Sequence, residues 1–509
     1  DVIELGKVCA NDSTGPSGSI LLDDVAFHVP RVDDLWVDAE GGSDANDGLT
    51  PESAFRTIQK AADRAGPGTT VHVMPGLYRE TVHPVLDGSP AEPTVYRAER
   101  GPGTAIIRGS EPSSDLTWTQ LLTNAIGLPD AVDPSNIYYA DLSSWQLDGA
   151  PRFVVELDED GTVDARLPLA REPDWQVETE WKHHEFWWAA DGGSDVVACD
   201  PATDPDPNCD YASRSMTRLT DRSHDAEPAG IEAGNLTTLG DLTGGTLVAI
   251  DTVQGHYVFR RTITDHDVDA GRVTVDCICE HDGGSGNPGL GWGSKYYVEG
   301  KPGLLDTPGE WWYDESTRRL YLWPRSPGNP ATAPIEISRR DHGFSLRDRS
   351  YVTLDGLTIE LLNGSAVYLA NWETHQAHGD TLRNLTLRYA NWGLYAEQSV
   401  RADTPADNVI KGLILESSEI AYMDTFGIRL TDWWEDSADP DVFTRSGIVN
   451  TTIRDNEMHH LGFRTDGNNA IGVSFSFANK LRFEGNHVHH VAHNGVQFSL
   501  SVVQSSAAY

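Results

Sequence analysis

Residues Val37–Thr81 read VDAEGGSDANDGLTPESAFRTIQKAADRAGPGTTVHVMPGLYRET. An acidic, glycine-rich loop runs straight into an amphipathic helix and then into strands. Thr50-Pro51 and Thr57 are helix-start signals. Ile58, Ala61, Ala62 and Ala65 follow at helical spacing, and Gly66-Pro67-Gly68 stops the helix. The stretch Thr69–Val82 reads as two short strands about a turn at Pro75-Gly76, and LWVDAE (Leu35–Glu40) as another strand before the loop. Strand, acidic turn, helix, strand, turn, strand is the arrangement that plugs the open apolar end of a stacked β-solenoid, whose terminal repeats need a cap. The loop is therefore architectural first. The second reading is a calcium ion held by Asp44, Asn46 and Asp47, because calcium prefers oxygen ligands.

The later chain carries the matching repeats. Tyr351–Asn371 (YVTLDGLTIELLNGSAVYLAN), Asp380–Gln398 (DTLRNLTLRYANWGLYAEQ), Ile410–Asp432 (IKGLILESSEIAYMDTFGIRLTD), the stretch from Ile448 to Ser476 and Lys480–Ser501 each hold alternating strands about an interior turn. Ser418, Asn456 and Asn486 fall in register at that turn, where stacked side chains satisfy buried backbone. Residues from about Ser110 to Asp341 break the rhythm and are rich in Trp, Gly, Pro and Asp.

Several of these stretches look familiar. Val37–Thr81 resembles the opening segment of right-handed parallel β-helix proteins of the pectate-lyase-like superfamily. That superfamily includes lyases, glycosidases, epimerases and adhesins, so the resemblance bears on fold more than on chemistry. Val154–Trp175 (VVELDEDGTVDARLPLAREPDW) and Leu305–Pro324 (LDTPGEWWYDESTRRLYLWP) resemble segments of β-helix glycoside hydrolases of fucosidase and xylanase type, which carry a β-sandwich inserted in the helix. The second piece reads as a hairpin turning at Glu315-Ser316-Thr317. The expected fold is all-β: a right-handed parallel β-helix with an N-terminal capping helix and an inserted antiparallel β domain. Its expected parts are 1–30, the end of a preceding jelly-roll module; 31–110, the cap and first coils; 111–345, the insertion; and 346–509, later coils with more beyond Tyr509.

Composition narrows the function. The 509 residues carry 78 acidic and 38 basic side chains, a net charge of −40, which repels nucleic acid and anionic membranes and suits high salt. No apolar run approaches the length of a membrane span. G-x-S-x-G and P-loop motifs are absent, so esterase and nucleotide-binding readings fall away. No C-x-x-C pair exists among Cys9, Cys199, Cys209, Cys277 and Cys279, so a zinc ribbon is excluded and one or two disulfides in an exported protein is the expectation, with Cys199–Cys209 the firmest pairing. The aspartates around that loop (Asp200, Asp204, Asp206, Asp210) form either a solvated acidic loop or a calcium site. N-x-S/T sequons stand at Asn11, Asn235, Asn363, Asn384 and Asn450, several inside coils where a glycan would not fit.

Chemistry is expected on the outer face of the late coils. Aligning SAVYL (365–369), GLYAE (393–397), GIRLT (427–431), GVSFS (472–476) and GVQFS (495–499) turns Ala366, Leu394, Ile428, Val473 and Val496 inward. Outward columns are then Tyr395, Arg429, Ser474, Gln497 and, beside them, Glu397, Thr431, Ser476, Ser499. Trp372, Trp392, Trp433 and Trp434 could stack on sugar rings. Glycoside hydrolysis needs two carboxylates. The candidates are Asp424, Glu397, Asp432, Glu435 and Asp466, with Asp424 paired to Glu397 or Asp432 as the choice. Register puts His459 over His489 and His460 over His490, as structural stacks or as metal or acid–base pairs; His493 faces the strand entry as a substrate contact. The reading is a secreted or cell-surface glycoside hydrolase acting on a polysaccharide or oligosaccharide, requiring no cofactor, with calcium the one ion its acidic loops could take. A polysaccharide lyase of the same fold stands second, since lysine is scarce in the late coils (Lys411, Lys480) and only Arg429 and Arg464 would offset the acidic field. A non-catalytic carbohydrate-binding or adhesive solenoid stands third.

Overall fold

The computed structural model describes residues 32–174, 187–190, 196–198, 214–216, 218–222, 235–250, 258–275, 290, 293–371, 377–400, 409–434, 447–464, 471–476, 478–492, 494–499 and 506–508. The chain is all-β, and most of its pairing is parallel. Among the described residues no helix is long and apolar enough to cross a membrane. The expected module end in residues 1–30 and the Cys199–Cys209 pair lie outside the described residues.

One parallel sheet has nine strands, among them Asp34–Val37, Thr70–Val73, Thr94–Ala98, Val352–Asp355, Thr381–Arg383, Ile414–Glu416, Thr452–Arg454 and Arg482–Glu484. A second has eleven, and a small third stacks Ala377–His378, Ile410–Lys411, Ile448–Val449 and Ala478–Asn479. The chain passes from sheet to sheet and returns beside its own earlier strand. Each strand alternates, so every sheet sends one column of side chains inward. In the first sheet that column is Leu35, Val71, Tyr96, Leu354, Leu382, Leu415, Ile453 and Phe483. The second sheet bends at a corner and contributes two columns. Its first limb gives Tyr78, Ile107, Ile359, Leu387, Ile420, Met458 and Val488. Its second limb gives Phe344, Val367, Leu394, Ile428, Val473 and Val496. All three columns meet in one apolar core. Ala366 is buried in this core as expected, but the expected alignment of Ala366 with Leu394 is corrected by one position: Val367 pairs with Leu394, because the register shifts between Leu362 and Ser365.

The capping segment forms as its sequence directs. The Thr57 side chain accepts from Lys60 N at the start of helix Ile58–Ala62, whose Ile58, Ala61 and Ala62 are buried in the same core. Thr50 caps a 3-10 turn, Pro51–Ser53, rather than the helix itself. The Glu80 carboxylate, just after strand Gly76–Tyr78, accepts from the Ile58 and Gln59 amides at 2.8 Å each and closes the helix start.

Two polar devices hold the turns. After left-handed residues Ser417 and Asp455 and Gly485, the side chains of Ser418, Asn456 and Asn486 form the expected ladder. Asn456 Oδ1 accepts from Ser418 N at 3.0 Å, and Asn456 Nδ2 donates to Leu415 O at 3.2 Å and Asn486 Oδ1 at 2.9 Å. At the corner of the second sheet, Leu361, Tyr389, Tyr422, His460 and His490 all have φ between 52° and 57°. Side chains rarely adopt this backbone. Here the rings stack: Tyr389 on Tyr422 at 5.0 Å, Tyr422 on His460 at 5.0 Å, His460 on His490 at 4.8 Å.

Between Ser110 and Ser338 lie antiparallel sheets. One pairs Val163–Leu167, Val154–Leu157, Ile335–Ser338 and Ser110–Pro112; another contains the expected hairpin, Trp311–Asp314 with Arg319–Leu322. They root on the coils through buried charge. Arg79 grips Glu336 with two bonds of 2.6–2.7 Å, and Arg108 lies between Glu336 (3.6 Å) and Glu360 (2.5 Å), while Arg388 meets Glu360 at 2.6 Å. Beside this root, Phe153 and Val155 pack on Leu361 and Tyr389 at the coil corner.

Asn456→Ala would strand Ser418 N and Leu415 O in the core, so it is expected to lower stability by about 1–3 kcal/mol. Equilibrium denaturation measures this, with an exposed-residue variant such as Lys480→Ala unchanged as the comparison.

Candidate functional site

The second limb of the bent sheet sets the site. Its outward column runs Tyr368, Tyr395, Arg429, Ser474 and Gln497, each paired with the next. Glu397 pairs with Thr431, and Ser476 with Ser499, in the adjacent column. Alternation therefore places the described side chains of these columns where the sequence expects them, Ser499 being placed by backbone pairing alone.

Glu397 is the centre of the column's chemistry. It is 9% exposed. Tyr368 Oη donates to its Oε1 and Tyr395 Oη to its Oε2, each at 2.6 Å. Trp392 lies 4.6 Å from the Tyr395 ring, and the Arg429 guanidinium sits 5.9 Å from that ring and 5.0 Å from Phe426. His342 stacks on Tyr368 at 4.5 Å, nearly coplanar at 5°, and its Nδ1 faces Ser365 N at 3.3 Å. Burial pushes the His342 imidazole below its ordinary range, opposed by the charges of Asp341 and Glu397, both close enough to act on it. A carboxylate, a neutral-leaning imidazole, two phenols, an indole and a guanidinium thus share one face. Sequence reading found Glu397, Tyr395, Arg429 and Trp392 but missed Tyr368, His342 and Asp341.

Asp424 is elsewhere in both place and company. It lies at the corner ahead of strand Phe426–Trp434 and is fully buried. Arg152 Nη1 meets Oδ2 at 2.9 Å and Arg166 Nη2 meets Oδ1 at 2.5 Å, both from the antiparallel region. Phe426 pairs with Trp392 and Thr431 with Glu397. Five residues of strand, roughly 16 Å at about 3.3 Å per residue, lie between the Phe426–Trp392 rung and the Thr431–Glu397 rung, and the two carboxylates have different partners. The two are not brought together, and Asp424 is an anchor for the arginines.

Asp432, Trp433 and Trp434 pair as backbone with Gln398, Ser399 and Val400. Asp432 is therefore one position off the Glu397 column. Glu435, Asp466, Trp372 and His493 lie outside the described residues. In the opening loop, Asp44 accepts from the Arg56 and Thr57 amides at 3.0 Å each and from the Thr57 hydroxyl. Asn46 Nδ2 donates to Ala54 O, and Asp47 accepts from Leu49 N and the Ser53 hydroxyl. These side chains form the turn that feeds the helix.

A second cluster joins the two stretches that carried the glycoside hydrolase resemblance. Glu172, Asp174 and Asp306 bring carboxylate oxygens within 4.8 Å of one another. Burial first, then Asp306 and Asp174, push Glu172 up to about 8. Burial also raises Glu310 well above the usual range, although it accepts from the Arg171, Asp306 and Thr307 amides. Arg171, Trp311 and Tyr297 continue into a cleft lined also by Arg152 and Arg166 of the antiparallel region and by Arg464 of the coils. Arg260 and Arg464 pair with Glu299 at its wall.

Late histidines stack as their register requires, His459 on His489 at 5.1 Å and His460 on His490 at 4.8 Å.

Comparison with known proteins bears on the fold. No known family's sequence profile matches the chain. The uncharacterized protein YwoF of Bacillus subtilis (strain 168) is 40% identical over 65 residues, 13% of this chain and 14% of its own length, so the chain matches only a small part of that relative. A solved structure described as a glycoside hydrolase aligns with 89% of this chain and 79% of its own, at a TM-score of 0.54 and 14% identity. The complex of XylC with xylose aligns with 93% of this chain and 61% of its own, at a TM-score of 0.44 and 14% identity. The first is a likeness of fold; the second is too remote to add to it.

Two outcomes are expected. Asp424→Asn leaves two guanidinium groups facing a neutral amide and lowers stability by about 3–5 kcal/mol, read as a shift in denaturation midpoint. His342 binds its proton more weakly folded than unfolded, so the unfolded chain takes up more protons below the ordinary value of 6.5. Its contribution to stability is complete above pH 6.5 and is lost as pH falls below it. Melting temperatures of His342→Gln between pH 8 and 5 are expected to fall less steeply than those of the parent.

Proposed function

We propose that the chain is a secreted carbohydrate-active enzyme, a glycoside hydrolase built on a right-handed parallel β-helix. Parallel sheets wound around one core, a helical cap and a likeness of fold to a solved glycoside hydrolase support the architecture. The observation that carries the chemistry is the Glu397 carboxylate, held by two tyrosine hydroxyls on an outward face lined by Trp392, Arg429 and His342. Indole and phenol rings offer flat surfaces to the apolar side of a sugar. Glu397, accepting on both oxygens, is suited to act as nucleophile or base. The second carboxylate of the pair is Asp341, next to His342 and exposed, in place of Asp424. The substrate is a polysaccharide or oligosaccharide; nucleic acid is disfavoured by the charge of −40.

A polysaccharide lyase is the second reading. Arg429 against the Tyr395 ring favours it, since a cation beside a phenol could neutralise a uronate while the phenol handles a proton.

A panel of xylans, fucose-containing glycans, pectin and alginate, at low and high salt, separates these. Reducing ends without ultraviolet absorbance of unsaturated uronates are expected. Absorbance rising with reducing ends would replace hydrolysis by elimination. On the active substrate, Glu397→Gln is expected to lower kcat by about 10²–10⁴-fold with an unchanged melting temperature.

A further inference from the structure

The outward column of the first limb ends in a different chemistry from the rest of the face. Glu457 pairs directly with His487 on the next strand, and His489 follows two residues on, so all three side chains share one side. Glu457 Oε1 lies 3.4 Å from His489 Nε2 and 4.0 Å from His487 Nδ1. One ligand atom from each falls within 4.8 Å of the others, and the imidazole rings are 4.4 Å apart.

We propose that Glu457, His487 and His489 bind a divalent transition metal of the zinc type, bridging two successive coils. Zinc bound tetrahedrally at about 2.0–2.2 Å holds its ligand atoms about 3.3 Å apart. The distances here are equal to that value or within about 1.5 Å of it. The adjustment falls on the side chains free to make it, since Glu457 is 57% and His487 72% exposed. His489, only 26% exposed, is the fixed member. It is clamped by the His459 ring stacked at 5.1 Å and by a contact from its Nδ1 to His490 Nδ1, which leaves Nε2 aimed at Glu457. Bracing of the far ring nitrogen is the usual second layer of a histidine metal site. Two imidazoles and one carboxylate suit zinc, nickel, cobalt or copper and not calcium or magnesium, which want an oxygen shell. Three protein ligands leave a fourth position for water. This site is remote in the column from Glu397 and does not depend on the reading of that residue.

The test uses the untagged chain, stripped with chelator and titrated calorimetrically with zinc chloride at pH 7.5. One zinc per chain with a micromolar or tighter Kd is expected, along with a rise in melting temperature, and no heat with calcium. His487→Ala and His489→Ala are each expected to weaken binding at least about tenfold, while His83→Gln, far from the triad, binds as the parent. Cobalt substitution is expected to give the visible absorption of a four-coordinate site, lost in His489→Ala. No binding at 100 µM zinc would overturn the proposal. So would full-strength binding in both His487→Ala and His489→Ala, which would put the metal elsewhere.

Discussion

The antiparallel sheets are rooted on the coils by a buried run of alternating charge. Arg108, Glu360 and Arg388 occupy successive rungs of one outward column, and Glu336 and Arg79 extend the run into the antiparallel region. Parallel stacking sets rungs about 4.8 Å apart. At that spacing a column of like charge would repel itself, and a column covered by another domain would leave charges dry. Alternating sign answers both. Glu360 is wholly buried and has a guanidinium on each oxygen. Such a network adds little over an apolar contact of equal volume, but it tolerates no mismatch, because one missing partner leaves a buried charge. It therefore fixes where the antiparallel sheets sit. That placement brings Arg152 and Arg166 over the corner that bears Asp424.

The corner shows how a strained backbone is made regular. Five rungs turn through left-handed residues, and none of them is glycine. Such residues carry a conformational cost that the surroundings must offset. Repetition supplies the offset: once two neighbouring rungs turn alike, their rings face each other at stacking distance, and each added rung gains a contact. The lowest rung, Leu361, brings no ring of its own and packs with Phe153 of the antiparallel region, so the stacked column starts one rung later, at Tyr389. Tyrosine gives way to histidine toward the later coils, which is how the imidazoles of His459, His460, His489 and His490 come to crowd one edge.

The coil architecture was legible because its signal is local. Alternation within a strand fixes which residues face inward, and the cap announces itself through Thr57 and the alanines after it. Where the sequence misled by one residue, in aligning Ala366 rather than Val367 with Leu394, the cause was an extra residue between Leu362 and Ser365, invisible to alternation alone. The site was legible in half. Tyr395, Arg429 and Gln497 follow from register. Asp424 did not, since its arginines lie 272 and 258 positions away in a region without coil rhythm. His342 and Tyr368 were hidden for a related reason. RRDHGFS (Arg339–Ser345) reads as a linker, yet it is where the chain re-enters the second limb, with Phe344 pairing to Val367.

The two carboxylates that sequence reading joined are separated by environment as well as by distance. Asp424 is sealed from water and has a guanidinium at each oxygen, so a substrate would have to displace a buried ion pair to reach it. Glu397 accepts from two phenols, and its column lies on a face with an indole and an arginine. Phenol hydroxyls can be exchanged for substrate hydroxyls at little electrostatic cost, whereas guanidinium groups cannot. In a chain of net charge −40, an aromatic, hydroxyl-rich face holding one carboxylate and one guanidinium is also a surface on which an uncharged glycan meets little opposition to desolvation. Both considerations support the proposed placement of the chemistry on the second limb of the bent sheet, with Asp424 paired to the arginines of the covering sheets.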